Sequence, residues 1–243
     1  MTKPRTYHFI VCGWNCEPYA AECLDSILAQ RLPHGARLRI VVVNDGSEDA
    51  TTRILLPYNE RREVRVFTLR PNRGAAYSRF LAMQWAGAKP EDVFVFLDLD
   101  DYLAHRAALK AVHASYEAGA EVTYCSAFVA ADGRYFAPET YETHEDVRRQ
   151  RFMAWPLRTC LARLALDIPA QDFKMEGEWL RKNTDVALML GVMERADPAA
   201  IARIDDVLYV YHDRPDGARI RHGRAYQERV KRHLQPDLYG VTA

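Results

Sequence analysis

The strongest constraint on this chain is the run Val93-Phe94-Val95-Phe96-Leu97-Asp98-Leu99-Asp100-Asp101. Five apolar residues in a row predict a buried strand. Three carboxylates follow within four positions. Carboxylates this close raise one another's pKa, and a divalent cation removes that cost. Mg²⁺ and Mn²⁺ favour hard oxygen ligands and are often held by one or two carboxylates plus substrate phosphates. Open α/β sheets place their ligands at the carboxyl ends of strands. The run therefore predicts a cation site for a phosphate-bearing substrate. A solvated acidic loop is the plainer alternative.

The residues before this run alternate between two periodicities. His8-Phe9-Ile10-Val11-Cys12, Arg39-Ile40-Val41-Val42-Val43 and Val64-Arg65-Val66-Phe67-Thr68-Leu69 read as strands. Tyr19 to Gln30, a segment from Ser47 or Asp49 to about Arg62, and Ala75 to Ala86 read as helices. Strand and helix alternate four times by residue 103. That order predicts an α/β fold, with a mostly parallel sheet and helices on both faces.

After Tyr102 the pattern loosens. A helix over Arg106 to Gly119 and a strand over Val122 to Val129 are predicted, and Asp132-Gly133 signals a hairpin into Arg134-Tyr135-Phe136. Residues 138 to 178 suit loops and short helices over one edge of a site. Thr184 to Arg195 is helical again, Asp206 to Tyr211 is a last strand, and a basic tail from His212 to His233 ends in an amphipathic helix. The reading is one domain overall, with residues 1–103 as a binding half and 104–243 as a less regular half carrying the tail.

The composition narrows the function. Across 243 residues, Lys plus Arg balance Asp plus Glu at 33 each, so no global field draws the chain to nucleic acid or membrane. Met1 to Tyr7 lacks the layout of a signal peptide. No apolar run approaches the roughly 20 residues of a membrane span. Five cysteines at irregular spacing suggest no disulfide framework, and Cys12, Cys16 and Cys23 lack the spacing of a zinc site. A cytoplasmic location is expected, with peripheral attachment at a membrane as the alternative.

Four stretches, taken together, resemble the family 2 glycosyltransferases of the GT-A fold. Ile10 to Tyr19 with Cys23-Leu24-Asp25-Ser26-Ile27 is similar to the family's apolar strand, aromatic-Asn turn and helix ending in LxSI. Ile40 to Thr51 is similar to IIVVDDGSTDGT. Asn72 to Arg79 is similar to NxGxxxARN, with Phe80 in place of the Asn. Phe96 to Asp101 is similar to FLDADD. The ordered set covers residues 7 to 103. More loosely, Trp155-Pro156-Leu157-Arg158-Thr159 and Asn183 to Met189 are similar to acceptor-side segments of some members.

The resemblance implies a metal-dependent, inverting transfer from a nucleotide-sugar, usually a UDP-sugar, to a hydroxyl. The acceptor would be a glycan, a lipid-linked saccharide or a small molecule. Asp100 would be the main ligand for Mn²⁺ or Mg²⁺, Asp98 would hold the metal or the ribose, and Asp101 would substitute for either or cap a helix. Leu99 lies within the same motif. Asp45 would accept from the nucleobase, although Asn44-Asp45-Gly46 also makes an Asx turn. Gly13, Trp14, Asn15 and Glu17 would line the nucleotide side. Arg73 and Arg79 would meet the diphosphate, or Arg79 would bridge to the aspartate loop. Asp185 is the candidate general base, with Glu176 and Glu178 as competitors and helix capping as the alternative. His212 would complete the metal shell or lie exposed in the tail. Arg214, Arg219 and Arg221 would close over the diphosphate or remain solvated.

Three rivals follow. Between His212 and His233, seven Arg or Lys face three acids, and Arg148, Arg149 and Arg151 form a second cluster. Such patches suit a DNA backbone, hence a glycosyltransferase acting on modified bases in DNA, or anionic lipid head groups. A nucleotidyltransferase would need a Gly-rich phosphate loop, which Gly13-Trp14-Asn15-Cys16-Glu17 is not. A non-catalytic nucleotide-sugar-binding domain is the third.

Overall fold

The computed structural model describes residues 5–139, 141, 146–212, 214 and 223–239. Strands β1 (Thr6–Gly13), β2 (Arg37–Asn44), β3 (Val64–Thr68) and β4 (Val93–Asp98) lie in the order β3-β2-β1-β4, all parallel. Helices α1 (Ala20–Leu28), α2 (Thr51–Leu55) and α3 (Ala75–Trp85) make the crossovers. The alternating pattern of the first half is therefore a parallel sheet, as its periodicity requires. One expected helix is shorter: α2 stops at Leu55 and a 3₁₀ turn, Pro57–Glu60, replaces its end. Pro57 lacks an N–H, and its ring obstructs the preceding turn.

The same sheet continues into the second half. After the short β5 (Tyr102–Leu103) and α4 (Ala108–Glu117) come β6 (Val122–Val129), β7 (Tyr135–Phe136), β8 (Arg158–Leu161) and α5 (Ala162–Leu166). A small hairpin, β9 (Lys174–Met175) with β10 (Glu178–Trp179), leads to α6 (Thr184–Met193) and β11 (Ile201–Tyr211). Helices α7 (Arg224–Leu234) and α8 (Pro236–Tyr239) follow. The order runs on as β4-β8-β6-β11-β5, with β7 pairing β6. β6 and β11 are parallel; β5, β7 and β8 run antiparallel to their neighbours.

β8 is a strand that periodicity did not reveal. It has four residues, two of them polar, yet it sits between β4 and β6. Its polarity is satisfied from within: Thr159 Oγ1 lies 2.7 Å from Thr123 Oγ1 and 2.8 Å from the Tyr116 hydroxyl. Buried polar groups are tolerated when paired in this way. Likewise β11 starts five residues before the expected Asp206.

Alternation along the strands separates two cores. Phe9, Val11, Val42 and Val95 face α1 and α4, whereas Ile10, Val41, Phe94 and Phe96 face α3, α5 and α6. Each such side chain contributes about 1.5–3 kcal/mol on burial. Asp98 continues the second register, so its carboxylate emerges on the α3–α6 side.

Candidate active site

Three parallel strands end together. Cys12 pairs with both Val43 and Asp98, and Gly13 pairs with Asn44. The residues just beyond, with the starts of α3 and α6, enclose a cleft of about 360 Å³. Its carboxylates are Asp45, Asp98, Asp100 and Asp185, and its cations are Arg79, Arg181, Lys182 and Arg214.

The aspartate run is neutralised by the protein itself. Arg79, 8% exposed at its side chain, ion-pairs with Asp98 and donates from Nη1 to Thr184 Oγ1 at 2.7 Å. Burial opposes the charge of Arg79, but Asp98 and Asp185 more than restore it. Arg214 Nη1 lies 3.1 Å from Asp100 Oδ2, and Nη2 donates to the Asn15 carbonyl at 2.7 Å. Burial and the neighbouring Asp98 still raise the pKa of Asp100, while Arg214 lowers it. Arginine forks suit carboxylates in such positions.

Asp101 has a different place from the one its sequence position suggests. It is 1% exposed. One oxygen accepts from the Tyr209 hydroxyl, and the other accepts from the His212 N–H at 2.8 Å. Burial, then Asp100 and Asp98, push its pKa well up. It ties β11 to the aspartate turn and does not line the cleft. His212 is also turned away. Its Nδ1 lies 2.6 Å from the Asp100 carbonyl, and its ring packs against Tyr19 and Tyr102 at 4.8 and 5.2 Å. Its Nε2 lies 3.8 Å from Glu22.

Other expected residues divide between cleft and scaffold. Gly13 and Trp14 line the cleft. A Cβ on Gly13 would lie 2.5 Å from the Leu99 Cβ, so only glycine permits this approach. Leu99 itself is fully buried, packs against Gly13 and donates its N–H to the Cys12 carbonyl at 2.9 Å. Asn15 and Glu17 lace two loops together instead of lining the cleft. Asn15 donates its N–H to Ser47 Oγ at 2.8 Å and accepts from the Glu48 N–H at 2.8 Å; Glu17 accepts from the Ala50 N–H at 3.1 Å. Asp45 reaches the cleft, but its two oxygens accept from the Arg73 and Gly74 N–H groups at 2.8 and 2.7 Å. It thus anchors the start of α3. The Arg73 side chain is exposed, with its guanidinium 5.9 Å from the Tyr77 ring centre.

Asp185 opens α6 and joins the cleft wall. Arg158 Nη2 donates to Asp185 Oδ2 at 2.7 Å. Asp185, Asp98, Arg79 and Arg158 also line one small pocket. Burial raises the pKa of Asp185, but Arg158 and Arg79 outweigh it and hold the carboxyl below its usual value. Glu176 is exposed and ion-paired with Arg229, and Glu178 is exposed. Neither lines the cleft.

Arg158, Thr184, Arg181 and Lys182 carried no functional assignment from sequence. Arg158 was visible only as a charged residue in a resemblance motif. Arg181 Nη1 donates to Asn72 Oδ1 at 3.0 Å, and its Cδ would lie 2.7 Å from a Cβ on Gly74, where φ is +94°. That contact joins segments 109 residues apart, and no local pattern carries it.

Among the described residues, part of the two basic patches is paired with acids. Arg148 pairs with Glu194, Arg149 with Asp146 and Asp237, and Lys231 with Glu228. Arg219 and Arg221 lie outside the described residues. Among the described residues, no three His, Cys, Asp or Glu side chains cluster as a metal site, none of the five buried cysteines is in a disulfide, and no helix is long and apolar enough to cross a membrane. Asp98 and Asp100 remain as two carboxylates on one cleft. That donor set fits a divalent cation completed by substrate phosphates, but not one held by the protein alone.

Comparison with known proteins agrees with this architecture. The model of the family described as "Glycosyl transferase family 2" matches residues 9–167. The teichoic acid poly(glycerol phosphate) polymerase of Staphylococcus epidermidis is 33% identical over 97 residues, which is 39% of this chain and 13% of that protein. The uncharacterized glycosyltransferase EpsJ of Bacillus subtilis is 24% identical over 244 residues, covering 94% of this chain and 67% of that protein. The chain thus spans a small part of the first relative and about two thirds of the second. Among solved structures, S. aureus TarS 1-349 in complex with UDP-GlcNAc superposes with a TM-score of 0.66 at 19% identity, over 95% of this chain and 65% of that one. That likeness is one of fold: a mixed α/β architecture around a mostly parallel sheet of GT-A type.

Proposed function

The chain belongs to glycosyl transferase family 2, and from that premise we propose that it transfers a sugar, with inversion, from a UDP-sugar to a hydroxyl acceptor. The observation that carries the reading is the cleft itself. Asp185 stands among Asp98, Arg79 and Arg158, with Arg181, Lys182 and Arg214 on the same walls. The four cations that line the cleft, Arg79, Arg181, Lys182 and Arg214, suit a diphosphate, and an ionised carboxylate suits a base.

In the proposed reaction the acceptor oxygen bonds to the anomeric carbon as the bond from that carbon to the diphosphate oxygen breaks. Asp185 takes the acceptor proton. The arginines stabilise the departing negative charge from fixed positions, which is where electrostatic catalysis is most effective. Trp14 offers an aromatic face to the nucleotide side. Asp98 and Asp100 would hold Mn²⁺ or Mg²⁺, whose contribution when bound is to neutralise the diphosphate. The UDP preference rests on the UDP and UDP-GlcNAc complexes of TarS. The relative named as a teichoic acid polymerase supports an acceptor on a polymer or lipid-linked chain.

The test is nucleotide release and thermal stabilisation with UDP-, GDP- and dTDP-sugars, each with and without Mn²⁺. A ligand that binds only the folded state raises its stability by mass action. Stabilisation and slow turnover with one UDP-sugar are expected. No response to any donor would overturn the reading in favour of a domain that does not bind nucleotide-sugars.

A further inference from the structure

The amino end of the sheet carries a separate concentration of charge. Helix α3 stops at Trp85 and leaves the first residues of β1 and β2 uncovered on its face. Thr6 lies beside Arg37, His8 beside Arg39, and Val41 beside Arg65. Alternate residues in this register share one face. They contribute to a depression of about 310 Å³ that Arg62, Glu63 and Lys89 also line. Its five Lys and Arg side chains face two acids, Glu63 and Asp92.

Both acids are already engaged. Glu63 lies 2.8 Å from Arg62 Nε. Asp92 accepts from His8 Nε2 at 3.1 Å and from the Lys89 N–H at 2.8 Å. Among the described residues, the charged heads of Arg37, Arg65 and Lys89 make no hydrogen bond or ion pair. A chain of zero net charge thus concentrates unpaired cations around one concavity.

A second, independent observation lies in the same depression. His8 is 4% exposed, and its Nδ1 is buried with no hydrogen-bond partner. Nε2 carries the hydrogen that Asp92 accepts. Burial holds the imidazole toward its neutral form. Nδ1 therefore presents an unused lone pair, and a buried acceptor without a donor is costly.

We propose that this depression is a second ligand site, which takes a phosphate ester carrying a free hydroxyl. Arg37, Arg39, Arg65 and Lys89 hold the phosphate, and His8 Nδ1 accepts from the hydroxyl. Strand β1 has eight residues, so the site lies about 20 Å from the cleft at the other end of that strand. It holds a phosphorylated molecule without taking part in transfer. The phosphate belongs to a soluble ester or to a lipid head group.

The test uses glycerol 3-phosphate and methyl phosphate as probes, titrated calorimetrically at fixed ionic strength. Saturable binding is expected, tighter for glycerol 3-phosphate. Arg37→Gln/Arg65→Gln, at two exposed positions, should weaken it by about tenfold or more while the thermal response to UDP is unchanged. His8→Phe should remove the preference for the hydroxyl-bearing probe. Sedimentation with phosphatidylglycerol vesicles, against phosphatidylcholine controls, assigns the source. Pelleting that the double variant abolishes identifies a head group, and phosphate-ester binding without pelleting identifies a soluble ester. No saturable binding, or binding unchanged in the double variant, overturns the proposal.

Discussion

The two ends of the sheet handle charge in opposite ways. At the carboxyl end every carboxylate of the cleft is held: Asp45 by backbone N–H groups, Asp98 by Arg79, Asp100 by Arg214 and Asp185 by Arg158. At the amino end Arg37, Arg65 and Lys89 stand unpaired around a concavity among the described residues. Paired charge is part of the architecture, fixed before any ligand arrives. Unpaired charge contributes nothing to the fold and is available to something else. The contrast predicts that substitutions at the carboxyl end change rate and pH dependence and lower stability, and that substitutions at the amino end leave rate and pH dependence alone and do not lower stability.

The largest effect should come from Asp185→Asn. Removal of a general base costs about 10²- to 10⁴-fold in rate. The variant keeps the shape of the Arg158 contact, so donor-induced stabilisation should persist while sugar transfer falls by that factor. Transfer within threefold of the parent, roughly the scatter expected of a non-catalytic change, would mean that the base is elsewhere and that the paired acids serve only the fold.

Arg79→Met addresses the architectural claim directly. It leaves Asp98 beside Asp100 and Asp101 without its counter-charge and removes the donor to Thr184. Breaking a buried pair costs about 3–5 kcal/mol, less where one partner is open to solvent. Asp98 is 37% exposed, so about 2–3 kcal/mol is expected from denaturant unfolding. An unchanged midpoint would show that the pairing is incidental.

Arg158→Gln should act through pH. Arg158, then Arg79, hold the Asp185 carboxyl below its ordinary value against the effect of burial. The base works ionised, so activity is retained above its pKa and lost as pH falls through it. Without Arg158 that pKa rises, and the acid limb of kcat/KM should move to higher pH. A limb that stays in place would separate Asp185 from the observed titration.

The contrast between the ends was only partly legible in the sequence. Strong apolar runs such as Val93 to Leu97 identified the parallel half, because a strand buried on both faces writes its own signal. The four-residue β8 did not, since its Arg158 and Thr159 are satisfied by contacts remote in sequence. The structure brings Asp98 and Asp100 of the aspartate run to the cleft; of what holds them, the Arg79 bridge was one of two readings of that residue in the sequence and the Arg214 pairing was not among the readings. The repulsion within the run is relieved by Arg79 and Arg214, 19 and 114 residues away from their partners. Asp101 was misplaced for a related reason: three adjacent acids look equivalent in sequence, but the turn points only two of them into the cleft. The amino-end arginines were plain as residues, yet only the register of β1, β2 and β3 brings them onto one face.

The smallest effect sharpens the comparison through its sign. Arg37→Gln/Arg65→Gln removes two like charges that have no partner in the fold among the described residues. Exposed charges of one sign repel weakly across water, and salt screens them within about 8–10 Å near physiological ionic strength. The melting temperature should therefore stay level or rise slightly at low salt, and the difference from the parent should vanish as salt is added. Transfer should be unaffected, because the site is at the far end of β1. A clear fall in melting temperature at every salt concentration would show that these arginines are held by the fold after all, and the distinction between the two ends would lose its basis. A rise that salt removes would identify the cluster as charge maintained against the interest of stability, which is the usual mark of a surface kept for binding.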